Sequence, residues 1–249
     1  MSAEAALAAA PPLPPLETLY EAATGVDLPL PAALAALYGP FRRPARPARP
    51  GRPYVLGNFV ATLDGVVSLG IPGQAGGGEI SGFDPHDRAV MGLLRALVDA
   101  VVVGAGTVRA APGHRWTADY IAPPFAGAYH DLRAALGKAE PPLTVVVTAR
   151  GDLDLAQPVF RAGAAPVLIA TTAAGARHIR AQGLPPHAHL AALAGPGPLA
   201  PRAVLAAIDR VRHCDLVLTE GGPRLLGAFI AERRLDELFL TLAPQVAGR

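Results

Sequence analysis

From Pro53 onward, runs of valine, isoleucine and leucine alternate with amphipathic helical segments, and this alternation narrows the available folds more than any other feature. YVLGNFVATLDG, DAVVVGAGT, LTVVVTARG, APVLIATT, CDLVLTEGG and DELFLTLAPQVAG read as strands. Between them DPHDRAVMGLLRALV, GARHIRAQG, PRAVLAAIDRVRH and PRLLGAFIAERRL have helical spacing, the first with Asp84 placed to cap it. Strands that are apolar nearly throughout cannot leave one face wet, so both faces of their sheet must be covered. The expectation is an α/β fold with a mainly parallel central sheet flanked by helices on both faces.

Composition sets the outer limits. A chain of 249 residues, 51% hydrophobic and 17% charged, buries a substantial core rather than staying disordered. No apolar run approaches the roughly 20 residues that cross a bilayer, so no membrane partner is expected. The opening MSAEAALAAAPPLPPL lacks a basic start and carries proline where an export signal needs an apolar helix. The single cysteine, Cys214, leaves no intrachain disulfide and no cysteine-rich zinc site, so a cytoplasmic setting without a metal is expected.

Residues 1–50 read as an Ala/Pro/Arg-rich extension with one or two short helices, LPAALAALYG being one, and 51–249 as the functional domain. Within the extension, GPFRRPARPARPGRP carries Arg42, Arg43, Arg46, Arg49 and Arg52 spaced by prolines. Proline favours an extended, solvated chain, and Phe41 alone offers a stacking ring. A stiff linker is therefore expected rather than a nucleic-acid tether.

Three strand ends carry groups suited to phosphate. VVVGAGTVRA has Gly104 and Gly106 but Arg109 where a dinucleotide fingerprint needs its third glycine, which excludes a Rossmann loop. What remains there is the Thr107 hydroxyl and the Arg109 cation. In DLVLTEGGPRLLGAFI the strand ends at Glu220, Gly221-Gly222 follow, and Pro223 suits the first turn of a helix. That helix would aim its free N–H groups at a pyrophosphate, or the glycines make only a tight turn. VVVTARGD offers Thr148 and Arg150; the guanidinium suits an adenosine 2′-phosphate and hence NADPH, or is simply a solvated loop arginine. Ligands of open parallel sheets sit at the carboxyl ends of the strands, so the three read together point to one nucleotide site.

Taken in order, YVLGNFVATLDGVVS, LLRALVDAVVVGAGTVRA, VVVTARG, LVLTEGGPRLLGAFI and DELFLTLAPQVAGR resemble the reductase domain of riboflavin biosynthesis over about residues 52 to 249. The resemblance implies a dihydrofolate-reductase-like fold and NADPH as cofactor. It also implies hydride transfer to a phosphorylated ribosylaminopyrimidine or pterin-like compound, and pairing as a homodimer through the apolar last strand. Carried onto this chain, Ala61 lines the nicotinamide pocket, and Gly106, Thr107 and Thr148 contact the cofactor. Gly221, Gly222, Pro223, Arg224, Leu225 and Leu226 hold the pyrophosphate, with Arg150 near the 2′-phosphate. Arg95 is a substrate-phosphate or positioning residue; beside what the resemblance implies, Arg109 and His114 are candidate substrate contacts by their own chemistry. Glu220 faces the substrate, either managing a proton or holding a sugar hydroxyl. Asp64 orders the loop beside the nicotinamide, or is only a turn aspartate.

The chain departs from that pattern after GTVRA, where RAAPGHRWTADY has Ala111 at an expected acidic position. His114, Arg115 and Trp116 either take over substrate contacts or form a plain loop. No H-x-E with P-C-x-x-C occurs, so a zinc deaminase half is not expected here. Closing strands beyond VAGR would be expected of the fold. Two other readings stay open: a nucleotide-binding protein without turnover, and an interaction protein acting through the arginine–proline arm.

Overall fold

The structure is a computed structural model and describes residues 13–21, 25–44, 51–71, 77–161, 163, 165–194 and 199–248. The first twelve residues, and 45–50 with Arg46 and Arg49, lie outside that set.

The N-terminal segment contains strand β1 (Gly25–Leu28), helix α1 (Ala32–Tyr38) and strand β2 (Phe41–Pro44). Helix α1 falls where LPAALAALYG places one. The start of the arginine–proline tract differs from the expected linker, because β2 pairs antiparallel with β1. The cause is apolar burial: Phe41 and Leu34 are 8% and 1% exposed and join the main core, with Phe41 stacked on Phe239. Arg52 is likewise not solvated. It forks onto Asp236 at 2.8 and 2.6 Å, and one of those oxygens also accepts from the Val55 amide.

Seven parallel strands follow: β3 (Tyr54–Thr62), β4 (Ala100–Gly104), β5 (Leu143–Thr148), β6 (Val167–Thr172), β7 (Ala188–Leu193), β8 (Leu216–Thr219) and β9 (Glu237–Ala243). Their spatial order is β7-β6-β5-β4-β8-β3-β9. The chain leaves a gap between β3 and β4 that β8 later fills, so the loops after these three strands meet at one edge. Asp99 fixes the insertion: its Oδ2 accepts from the amides of Asp215 and Leu216, while Oδ1 pairs with Lys138.

The helices are α2 (Gly77–Ser81), α3 (Pro85–Leu97), α4 (Ala105–Ala110), α5 (Ala118–Ile121), α6 (Ala126–Ala135), α7 (Ala173–Gln182), α8 (Pro201–Val211) and α9 (Pro223–Ala231). Strand alternation divides the core in two. Val101, Val103 and Leu218 face Leu93, Leu94 and Leu97 of α3, with Leu132 of α6. Val55, Val102 and Val217 face Val204, Leu205 and Ile208 of α8 and Phe229 of α9. Covering both faces removes the central strands β4, β5, β6 and β8 from water, as their continuous apolar runs require. Asp84 caps α3 as expected, accepting from the amides of His86 and Asp87 at 2.9 and 3.0 Å, with Pro85 at the first position.

Elements absent from the sequence reading are those with weak periodicity. Strand β7, AHLAAL, is a half-exposed edge, and α4 occupies what reads as a flexible turn in AGTVRA. Among the described residues no helix is long and apolar enough to cross a membrane.

Candidate active site

The carboxyl ends of β3, β4 and β8 open into a cleft of about 450 Å³, lined among others by Phe59, Asp87, Thr107, His114, Glu220 and Gly222. One wall is built on a buried ion pair. Arg95, on the inward face of α3, is 1% exposed and Glu220, just past β8, 6%. The Nε and Nη2 of Arg95 donate to the two carboxylate oxygens at 3.0 and 2.7 Å. Its Nη1 donates to the carbonyls of Arg115 and Thr117 at 3.4 and 3.2 Å, and Nη2 also reaches Nε2 of His114 at 3.3 Å. A guanidinium has five N–H donors, and all five are accounted for. Arg95 has no donor left for a substrate phosphate. Of the two expected roles, only positioning fits this geometry.

The same arginine fixes the state of His114. Guanidinium cannot accept a hydrogen bond, so Nε2 must be the bare acceptor and the ring proton must sit on Nδ1. Burial, then the charges of Arg95 and Arg88, push the His114 pKa down to about 3. The ring lies 4.8 Å, centre to centre, from both Trp116 and Tyr120, and the Arg115 guanidinium sits over Tyr120. The loop after GTVRA is therefore an ordered wall of the cleft. A neutral histidine there offers shape and one N–H, not a proton source.

Directly after Glu220 comes the start of α9. A Cβ on Gly221 would lie 2.5 Å from a methyl of Leu225, so glycine is required there by the helix's own next turn. Gly222 is different. Its φ of −60° suits any residue, and a Cβ there would meet nothing nearer than the Thr107 hydroxyl, 3.9 Å away. Among the described residues no side chain caps the helix, and the amides of Leu225 and Leu226 are already spent on the Gly222 carbonyl at 2.9 and 3.1 Å. Among the described residues, the amides of Gly222 and Arg224 have no partner. An uncapped helix start with a hydroxyl opposite is a ready anion cradle. The residues present thus fit a dinucleotide's diphosphate, with Pro223 lining the cleft and Leu225 and Leu226 packed inward as supports.

Other expected residues lie elsewhere. The Thr148 hydroxyl is buried and accepts from the Gly151 amide at 3.1 Å, closing the turn after β5 rather than facing the cleft. Gly151 in turn sits at φ +71°, where a Cβ would lie 2.5 Å from the Gly175 carbonyl of α7. Arg150 beside it is exposed. Arg109 spans to the Asp152 carbonyl at 2.9 Å and does not line the cleft, nor do Gly106 and Ala61. Asp64 is also outside it. Its carboxylate accepts from Thr62 and from the amides of Ala247 and Gly248, at 2.5, 3.1 and 2.9 Å, and these bonds hold its pKa down to about 2. Asp64 thus anchors the C-terminal segment beside the turn, and no catalytic contact follows from its position.

Asp87 and Arg88 line the cleft but were not singled out from sequence. The signal was present: Arg88 and Arg95 are seven apart, so two turns of one helix aim both at the same side. Arg88 spends Nε on the Ile121 carbonyl at 3.0 Å, and its terminal nitrogens have no partner among the described residues.

The state of His114 has a measurable consequence. Its folded pKa lies below the unfolded value, so unfolded chains take up a proton that the native site refuses. Stability should fall as pH drops below about 6.5 toward 3, by at most about 1.4 kcal/mol per pH unit from this group. Denaturant midpoints between pH 7 and 5 should show a shallower loss in His114→Gln; equal slopes in both proteins contradict the assignment.

A family model for the RibD C-terminal domain matches residues 53–249. No curated protein matches the chain. Among solved structures, Acinetobacter baumannii RibD is 20% identical with a TM-score of 0.58, covering 80% of this chain and 48% of its own length. A pyrimidine reductase-like protein from Corynebacterium diphtheriae is 21% identical with a TM-score of 0.61, over 78% of this chain and 75% of its own. The Saccharomyces riboflavin biosynthesis reductase Rib7 is 15% identical with a TM-score of 0.53, over 82% and 78%. The chain spans about half the length of the Acinetobacter protein. At these identities the likeness speaks to fold, while the family match rests on the sequence itself. The chain belongs to the RibD C-terminal domain family and has its dihydrofolate-reductase-like α/β fold.

Proposed function

We propose that this chain is an NADPH-dependent reductase of the 5-amino-6-(5-phosphoribosylamino)uracil type, reducing the ribosyl group of a phosphorylated aminopyrimidine to a ribityl chain. The observation that carries the reading is the start of α9, uncapped among the described residues, with the Thr107 hydroxyl beside it in a cleft at the sheet's carboxyl edge. Bound there, NADPH supplies the hydride. The chain's own residues do the rest. The Gly222 and Arg224 amides and Thr107 hold the diphosphate, and Arg150, exposed at the end of β5, is available to the 2′-phosphate. Arg88, whose terminal nitrogens have no partner among the described residues, is the cation best placed for the substrate's phosphate. Both oxygens of Glu220 accept from Arg95, which favours holding a sugar hydroxyl over donating a proton. Trp116, Phe59 and Met91 help exclude water from the cleft.

The reductase unit in this reading is residues 51–249, with the N-terminal segment packed onto its core through Leu34 and Phe41. A homodimer completes it. Leu238, Leu240 and Leu242 alternate along β9 at 42%, 48% and 60% exposure, an apolar row at the sheet edge that a second copy would cover. A small pyrimidine substrate, no nucleic acid and a cytoplasmic setting belong to the same proposal.

The direct test is Gly222→Leu. A Cβ at Gly222 meets nothing nearer than the Thr107 hydroxyl at 3.9 Å and the residue lines the cleft, so the variant should keep its melting temperature while NADPH affinity falls at least about tenfold. Fluorescence titration should also show NADPH binding more tightly than NADH to the native chain; unchanged NADPH affinity in the variant overturns the reading. For assembly, sedimentation equilibrium should give twice the chain mass for the native protein and the chain mass for Leu240→Lys. A native monomer refutes the dimer.

A further inference from the structure

Asp87 stands apart from the other charges of the cleft. Glu220 has its arginine, but Asp87 has no ion pair among the described residues. It occupies the third position of α3, where an acidic side chain commonly reaches back to the amide of the capping residue. It does not do so here, because the Asp84 amide donates to the Ser81 carbonyl instead. The Asp87 side chain turns into the cleft, where Thr241 of β9 donates to Oδ1 at 2.6 Å. The Ser81 hydroxyl also faces the carboxylate, but a carboxylate can accept about four hydrogen bonds, so capacity remains beyond these two hydroxyls among the described residues. Burial, with Asp84 and Glu220 adding to it, raises the carboxyl pKa against the opposing hydroxyls of Thr241 and Ser81. A half-buried carboxylate without a cation gains most from a ligand that brings two donors.

From this geometry we propose that Asp87 is the residue that selects the heterocycle, accepting the adjacent ring N–H and amino N–H of a 6-aminopyrimidine in a two-pronged bond. The two donors lie in one plane and point the same way, as those of a guanidinium do toward a carboxylate. Thr241 holds the carboxylate plane, and Phe59, Met91 and Trp116 supply the apolar surroundings that strengthen the contact. The inference rests on reading the cleft as the substrate site of a reductase, but its test does not require turnover.

Three small probes decide it, titrated into the full chain by calorimetry: 5,6-diaminouracil and its 1-methyl and 3-methyl derivatives. Methylation at N1 removes one of the paired donors, whereas methylation at N3 leaves both. The parent and the 3-methyl compound should bind at least about tenfold more tightly than the 1-methyl compound. Asp87→Asn keeps an oxygen for Thr241 and should erase that difference while leaving NADPH affinity unchanged. Equal binding of the 1-methyl and 3-methyl compounds to the native chain overturns the proposal, and that comparison stands even if the variant does not fold. A difference that persists in folded Asp87→Asn overturns it too, since it would reflect crowding by the methyl group. Heterocycle binding that follows this pattern in a chain without NADPH affinity would sink the reductase reading and leave Asp87 in its role.

Discussion

Two opposite charges that can be buried only together organise this cleft. Removing Arg95 or Glu220 alone would leave the other desolvated and unpaired, a loss of about 3–5 kcal/mol, whereas the intact pair adds little net stability. Its effect is positional. Because Arg95 is rooted in α3 and Glu220 ends β8, the helix and the strand end must meet. The remaining donors of Arg95 hold the carbonyls of Arg115 and Thr117 and the His114 ring. The loop that departs from the family pattern is thereby set against the same arginine. The cleft's floor and one of its walls follow from where a single guanidinium can satisfy five donors.

That arrangement gives neighbouring glycines unlike tasks. Gly221 is fixed by packing against Leu225, and Gly222 by what the space beside it can admit. A helix start concentrates unpaired amides and a partial positive charge, which favours anions by about 0.3–1 kcal/mol even when exposed. The effect is greater where water is excluded. With Glu220 already neutralised by Arg95, the carboxylate beside the helix start does not repel an incoming diphosphate as a lone anion would. In the proposed reading, ion pair and phosphate cradle are one device.

The sheet was legible because its residues leave so little choice. Val101–Val103 and Val145–Val147 are runs that leave no wet face, and the missing third glycine after Gly106 by itself excludes a Rossmann loop. The bend at Gly221–Gly222 and the cap at Asp84 were legible for the same local reason. Thr148, Arg109 and Asp64 were not, because a polar residue at a strand end can face the cleft or close its own turn, and only the third dimension decides. Thr148 is claimed by the Gly151 amide, Arg109 by Asp152 and Asp64 by Ala247 and Gly248. Asp87 was hidden the other way: an acid in the first turn of a helix reads as capping, and only the Asp84–Ser81 bond frees it for the cleft.

The account stands on bare amides at the start of α9 meeting a diphosphate. Backbone amide resonances followed through an NADPH titration test this most directly. The largest shifts should fall on Gly222 and Arg224, with Thr107 moving in step and Thr148 nearly still. Saturable binding that perturbs other surfaces and leaves Gly222 and Arg224 in place would contradict it.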